Sequence, residues 1–347
     1  MIMLRRFAQI LILVTVNLAL LAGGLVALEV YLWYTWPGRG LPANGTVNGV
    51  PVTWGHVVSN NRFGFRERDF AVPKPAGTYR IMILGDSLTW GAGLAVDERY
   101  TNLLESSLHK AFPSRSIEVL NFGISGGPTV VERNILRQFG EVVAPDLIVV
   151  GFCFNDPQPG PQDYSAEKAR FDDHYGPHIE QLRRAMASVG LRHTGDAVKK
   201  AAYLLAERLG MIPPWQSALD RTYAGESPEW QAFVEALRDI RAMSDAMRLP
   251  RPVFAVLNQG TYTDRPTDYA NPDPQLRQYL HWYQQAIAAA AESGFLVVSY
   301  EREIAEELRN EALAVNTLDG HPSARLNTLY ARKLSQAIAP LIAAADR

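Results

Sequence analysis

The strongest pattern in the chain is a run without charge from Phe7 to Leu28, in which Gln9, Thr15 and Asn17 are the clearly polar side chains. Wound as a helix at about 1.5 Å per residue, such a run spans roughly 33 Å, enough to cross a hydrocarbon core of about 30 Å. Arg5 and Arg6 precede it, and Tyr31, Trp33, Tyr34 and Trp36 follow it. Flanking cations favour the cytoplasmic side and amphipathic rings favour the membrane–water boundary. The expectation is a cytoplasmic N-terminus at 1–6, a single membrane helix at 7–28 and an interfacial segment and linker at 29–78. A domain beyond it then faces outward from the inner membrane, in the periplasm if the source is Gram-negative. A cleaved signal peptide and a buried core helix are the alternatives. A signal peptide usually has an apolar region of about 7–15 residues and a small-residue cleavage site, whereas this run is longer and ends in Leu28 and Glu29.

Residues 37–78 are rich in Gly, Pro and Asn and hold no sustained period, which reads as a linker that then wraps onto a domain. Five apolar runs of strand length follow: Tyr79–Leu84, Ile117–Asn121, Leu147–Phe152, Pro252–Leu257 and Phe295–Ser299. Between them lie helical patterns at Tyr100–Ala111, Thr129–Phe139, Pro228–Met247 and Pro274–Ser293, and a last helix runs from Ser323 to Ala344. Ser227 before Pro228 and Asp273 before Pro274 place a capping side chain ahead of proline at the first helical position. Strands alternating with helices imply right-handed crossovers and a parallel sheet covered on both faces, so the class is α/β. One connection, Asp156 to Arg251, is far longer than a crossover needs. Its helical stretch Asp196–Leu209 and its breaks at Pro159, Pro161, Pro213 and Pro214 suggest a helical insertion at about 157–226, set beside the cleft as a cap.

Composition narrows the partners. With 47% apolar and 20% charged residues the chain can bury a core, and a net charge of −2 gives no positive field to hold nucleic acid. One cysteine, Cys153, excludes an internal disulfide framework and a zinc site of several thiolates. It lies in an expected buried strand and reads as a packed thiol. His174 and His178 have metal-like spacing beside Asp172 and Asp173, but Gly176-Pro177 between them argues against the helical turn that would align them. Gly91-Ala92-Gly93 lacks the third glycine of a dinucleotide fingerprint. Neither a metal nor a cofactor is expected, and the oligomeric state stays open.

The candidate chemistry lies at strand ends. The first core strand runs into Gly85-Asp86-Ser87-Leu88, the second into Asn121-Phe122-Gly123-Ile124-Ser125-Gly126-Gly127, and the third into Gly151-Phe152-Cys153-Phe154-Asn155-Asp156. In an open parallel sheet these ends share the edge where ligands bind. Asp319-Gly320-His321-Pro322 precedes the final helix. With these four blocks in order, over about residues 60–345, the chain resembles the SGNH hydrolases, also called the GDSL esterase and lipase superfamily. Asn60-Asn61-Arg62-Phe63-Gly64-Phe65-Arg66 resembles, more weakly, the stretch that often precedes the first block in membrane-anchored members. The resemblance implies a three-layer α/β/α domain at 79–347 with a five-stranded flavodoxin-like parallel sheet, and ester hydrolysis without metal or cofactor. Matched block by block, it implies Ser87 as nucleophile, His321 as general base, and Gly123 and Asn155 in the second and third blocks.

One departure concerns the acid. The family usually places it three residues before the histidine, where this chain has Leu318; Asp319 lies two before. In an extended segment residues i and i+2 project to the same side, so Asp319 can reach the imidazole. The expected roles are then proton removal from Ser87 by His321, orientation of the ring by Asp319, and an oxyanion hole from the N–H groups of Ser87 and Gly123 with the Asn155 amide. A competing nucleophile is Ser125, since Gly123-Ile124-Ser125-Gly126-Gly127 fits G-x-S-x-G between a strand and a helix. It leaves Asn155 and the Gly-Asp-Ser loop without roles. The expected substrates are acyl esters, O-acetyl groups of envelope or extracellular glycans first and lipids second. The alternatives are an O-acyltransferase acting on an envelope polysaccharide and a non-catalytic glycan-binding or scaffold module.

Overall fold

The computed structural model describes residues 2–35, 44–47, 49–157, 165–225, 227–258, 268–309, 311–316 and 319–345. Trp36, Pro159, Pro161 and Leu318 lie outside them, as do the side chains of residues 2–8 and 11. In chain order the elements are α1 (Ile2–Thr35), β1 (Asn44–Val47), β2 (Val50–Thr53), β3 (His56–Val57), β4 (Thr78–Gly85), α2 (Ser87–Trp90), α3 (Tyr100–Ala111), β5 (Ser116–Gly123), α4 (Thr129–Val143) and β6 (Leu147–Phe152). There follow α5 (Ala166–Ser188), α6 (Arg192–Arg208), α7 (Trp215–Tyr223), α8 (Pro228–Ala246), β7 (Val253–Val256), α9 (Pro274–Glu292), β8 (Leu296–Val298), α10 (Glu301–Glu307), β9 (Ala314–Asn316), β10 (Asp319–Pro322) and α11 (Ala324–Ala344).

Two compact units divide the chain. The larger, residues 43–164 and 215–347, is built on a parallel sheet of order β5-β4-β6-β7-β8 flanked by helices. This is the flavodoxin-like order that the resemblance implies. All eight residues of β4 and all six of β6 are buried, so these strands read as continuous apolar runs, which a sheet covered on both faces requires. The capping signals act as expected. Ser227 accepts the Trp230 N–H at the start of α8, and Asp273 accepts the Leu276 N–H at the start of α9.

The stretch expected as a linker that wraps onto the domain carries structure of its own. From residue 43 onward it belongs to the sheet unit, carrying the antiparallel sheet β1-β2-β3 and a segment pinned by buried polar groups. Arg66 is 2% exposed and donates to the carbonyls of Gly91 and Leu94, each at 2.7 Å. Glu67 accepts the backbone N–H of Asn121 at 3.0 Å. A chain held by such bonds needs no apolar period, which is why periodicity missed it.

The smaller unit joins residues 1–42 to residues 165–214. Helix α1 contains one span, Ile12–Thr35, long and apolar enough to cross a membrane. It includes Glu29, which receives four hydrogen bonds from the start of α6. These come from the backbone N–H groups of His193 (3.0 Å) and Thr194 (2.7 Å), the Thr194 hydroxyl (2.8 Å) and His193 Nδ1 (2.7 Å). A carboxylate there satisfies orphan amides and faces the positive end of the helix dipole. The reading of Gly176-Pro177 as a break is corrected. Helix α5 runs continuously through Pro177, so His174 and His178 lie one turn apart on one helix and are exposed. Among the described residues no three His, Cys, Asp or Glu side chains are grouped to hold a metal.

Candidate active site

Ser87 opens α2 directly after β4, and three glycines in register make its seat. Gly85 pairs with Gly123 on one side and Gly151 on the other, at the carboxyl ends of three adjacent strands. A Cβ would stand 2.1 Å from Thr89 Oγ1 at Gly85, 2.4 Å from the same atom at Gly151, and 2.5 Å from the Trp90 backbone nitrogen at Gly123. Helix α2 therefore lies so close to the sheet edge that side chains there would push it away. Asp86 fixes its start by accepting the Leu88 N–H at 2.8 Å.

The histidine arrives from the other end of the sequence. Strand β10 pairs antiparallel with β9, Asp319 opposite Asn316 and Pro322 opposite Ala314, with an irregularity between the two pairs. His321 Nε2 lies 2.8 Å from Ser87 Oγ, and His321 Nδ1 is hydrogen-bonded to Asp319 Oδ1. The same carboxylate oxygen accepts the His321 backbone N–H at 3.0 Å. With the proton on Nδ1 facing the carboxylate, Nε2 is left to accept from the serine hydroxyl. Asp319 Oδ2 accepts the indole N–H of Trp54, a residue that no motif in the sequence marks.

The electrostatics follow from these partners. Burial would lower the pKa of His321, but the hydrogen bond and charge of Asp319, with the charge of Asp86, hold it above its ordinary value of 6.5. Burial would raise the pKa of Asp319; its bonds to His321 and Trp54 and the His321 charge hold it below 3.8 instead.

The expected oxyanion donors are placed less uniformly. The Asn155 amide donates to Asp86 Oδ2 at 3.3 Å, and Ser87 Oγ lies 3.2 Å from the same oxygen. Asp86 thus links the Ser87 hydroxyl and the Asn155 amide. Ser87 N–H stands at the first position of α2, where an intrahelical acceptor does not exist. Gly123 N–H is directed elsewhere and donates to Asn121 Oδ1 at 2.8 Å. Ser125 is exposed on the turn after β5, while His321 bonds to Ser87. Cys153 is fully buried, and burial, then the charges of Asp86 and Asp156, push its thiol well above the ordinary range, which keeps it protonated. Two further acids are buried in the same unit, Glu132 on α4 and Asp156 after β6, each 1% exposed. Burial and then the charge of Asp86 raise both well above the ordinary carboxyl range, Glu132 adding to the effect on Asp156.

A family model described as the GDSL-like Lipase/Acylhydrolase family matches residues 83–329, which takes in Ser87, Gly123, Asn155, Asp319 and His321. No curated protein matches the chain. Among solved structures, the chain is similar to Axe2, an acetylxylan esterase from Geobacillus stearothermophilus, at 16% identity over 75% of this chain and 94% of that one, with a TM-score of 0.41. LAE5, an α/β hydrolase enzyme from the metagenome of Lake Arreo, Spain, gives 16% identity over 76% and 96% with a TM-score of 0.44. TesA gives 15% over 76% and 99% with a TM-score of 0.42. With the family match extending over most of the chain, the protein belongs to the GDSL-like lipase/acylhydrolase family and is a hydrolase of carboxylic esters.

Proposed function

We propose that the protein cleaves acyl esters by nucleophilic attack of Ser87, with His321 as general base and then general acid and Asp319 holding the ring. The observation that carries this reading is the continuous chain from Ser87 Oγ through both His321 nitrogens to Asp319 Oδ1. His321 takes the serine proton as the oxygen attacks the carbonyl, then returns it to the leaving alcohol; water regenerates the serine by the reverse sequence. The oxyanion is received by Ser87 N–H and by the Asn155 amide, whose second N–H is available for it beside the bond to Asp86. Gly123 N–H can join only by exchanging its bond to Asn121, so it is the weakest of the three expected donors.

The anchor directs the choice of substrate. Cleavage of α1 as a signal sequence would remove the four-bonded Glu29 carboxylate from the start of α6. This supports a retained anchor. With Arg5 and Arg6 on the cytoplasmic side, residues 79–347 face outward from the inner membrane, where O-acetyl groups of envelope or extracellular glycans are the first substrate class and lipid acyl esters the second. The test is turnover of p-nitrophenyl acetate and longer-chain esters by the purified full-length protein, compared with folded Ser87→Ala and Ser125→Ala variants. Loss in Ser87→Ala alone is expected; loss in Ser125→Ala alone overturns the assignment. The product formed in the presence of an added glycan acceptor tells hydrolysis from acyl transfer.

A further inference from the structure

We infer that Trp54 is a positioning residue for the catalytic acid, supplied by a hairpin outside the segment that matches the family. The inference rests on the Ser87–His321–Asp319 reading above. Asp319 uses Oδ1 for His321, ring and backbone alike, and Oδ2 for the indole N–H of Trp54. Its two oxygens are thus held from opposite sides, and the carboxylate cannot turn about its Cβ–Cγ bond without losing one partner. The departure in spacing gives this a purpose. With the acid two residues before the histidine on a strand whose pairing is irregular between Asp319 and Pro322, the β9–β10 ladder alone does not fix the carboxylate plane.

The hairpin that carries Trp54 is built to deliver it. Thr53 pairs with His56 across a two-residue turn, in which Trp54 has φ +44° and Gly55 φ +89°. Such turns favour Asn-Gly, because most side chains are strained at positive φ. An indole in the first turn position is therefore not there for the turn, and strain of this kind gathers where the tertiary structure needs the side chain. Trp54 is 5% exposed. The neighbouring Thr53 hydroxyl accepts the Gly93 N–H at 2.9 Å, tying the hairpin to the loop after the nucleophile helix. Gly93 also leaves the room required. A Cβ there would stand 2.7 Å from Val315 Cγ1 on β9 and 3.0 Å from Trp54 Cδ1. The hairpin thus meets both the loop behind Ser87 and Asp319 itself, and none of residues 44–57 falls within the matched 83–329.

The experiment compares three forms of the full-length protein with the parent in p-nitrophenyl acetate hydrolysis over pH. They are Trp54→Phe, a variant carrying β-(3-benzothienyl)alanine at position 54, which keeps the indole shape without the N–H, and Ser87→Ala. His321 faces Asp319, Asp86 and Ser87, so its titration reports the carboxylate directly. Both Trp54 variants are expected to lose roughly 10- to 100-fold in kcat, as small misplacements of catalytic groups do, with KM unchanged. The acid limb of kcat/KM should move to lower pH, because a loosened Asp319 supports the imidazolium less. Parental kcat and an unmoved acid limb in the benzothienyl variant, with Ser87→Ala inactive, overturn the role of Trp54 and leave the triad standing. Full turnover by Ser87→Ala overturns the triad reading itself.

Discussion

Two carboxyl groups in the sheet unit, Asp319 and Glu132, meet burial in opposite ways. At the rim of the site, Asp319 is bonded by the His321 ring, the His321 backbone and the Trp54 indole, and those donors hold its pKa below the ordinary value although burial acts to raise it. Glu132 is raised well above the ordinary value by burial and then by the charge of another acid, Asp86. Burial penalises the charged form of both. What separates them is the sign of the neighbouring charge, cationic imidazole for Asp319 and a second carboxylate for Glu132.

Breaking the rim side of that contrast gives the largest effects. Asp319→Asn removes the charge and sets the wrong tautomer on His321, and kcat should fall by about 10,000-fold with the far-UV spectrum unchanged. Asn155→Ala removes a proposed oxyanion donor, and a fall of about 100- to 1,000-fold in kcat with little change in KM is expected. A smaller effect concerns pH. The proposed mechanism needs neutral His321, whose pKa is held above 6.5 by Asp319, so kcat/KM should decline as pH falls through a value higher than that of an isolated imidazole. An acid limb below 6.5 contradicts the carboxylate support.

The Glu132 side of the contrast is sharpened by stability. A group whose folded pKa is raised binds a proton in the native state that the unfolded chain has released. Its contribution is therefore whole below the unfolded value of 4.5 and is lost as pH rises toward the folded value. Asp319, lowered, behaves in reverse; its contribution is present above 3.8 and is lost in acid. Glu132→Gln should accordingly raise the melting temperature at pH 8 but leave it near parental at pH 4, by roughly 2–4 °C for each kcal/mol relieved. Equal shifts at both pH values show that the carboxyl is not titrating in this window.

The sheet and the place of Ser87 at its edge were legible because both rest on local signals. Tyr79–Leu84 and Leu147–Phe152 are apolar throughout because both faces are covered, and Gly85-Asp86-Ser87 ends the first of them. Asp319 could be named from the two-residue period of a strand even against the usual spacing. Trp54 could not. Its contact spans 265 residues and leaves no pattern around it. Arg66 was hidden for a related reason, since a guanidinium buried among carbonyls looks in sequence like any surface arginine. Proline misled at α5, where Pro177 is accommodated within a continuous helix. The engagement of Gly123 N–H by Asn121 is likewise a matter of geometry that composition does not carry.

The division of the chain has a topological outcome. The polypeptide passes between the two units three times, after residues 42, 164 and 214, because the inserted helices share a unit with the N-terminal helix. A single backbone scission between residues 36 and 43 would therefore leave the hydrolase domain attached through two remaining strands of chain, so long as Glu29 keeps its grip on α6. Parting the hydrolase domain from α1 would require three cuts, or one cut and the opening of that cap. The domain is moored to α1 rather than hung from it on a leash.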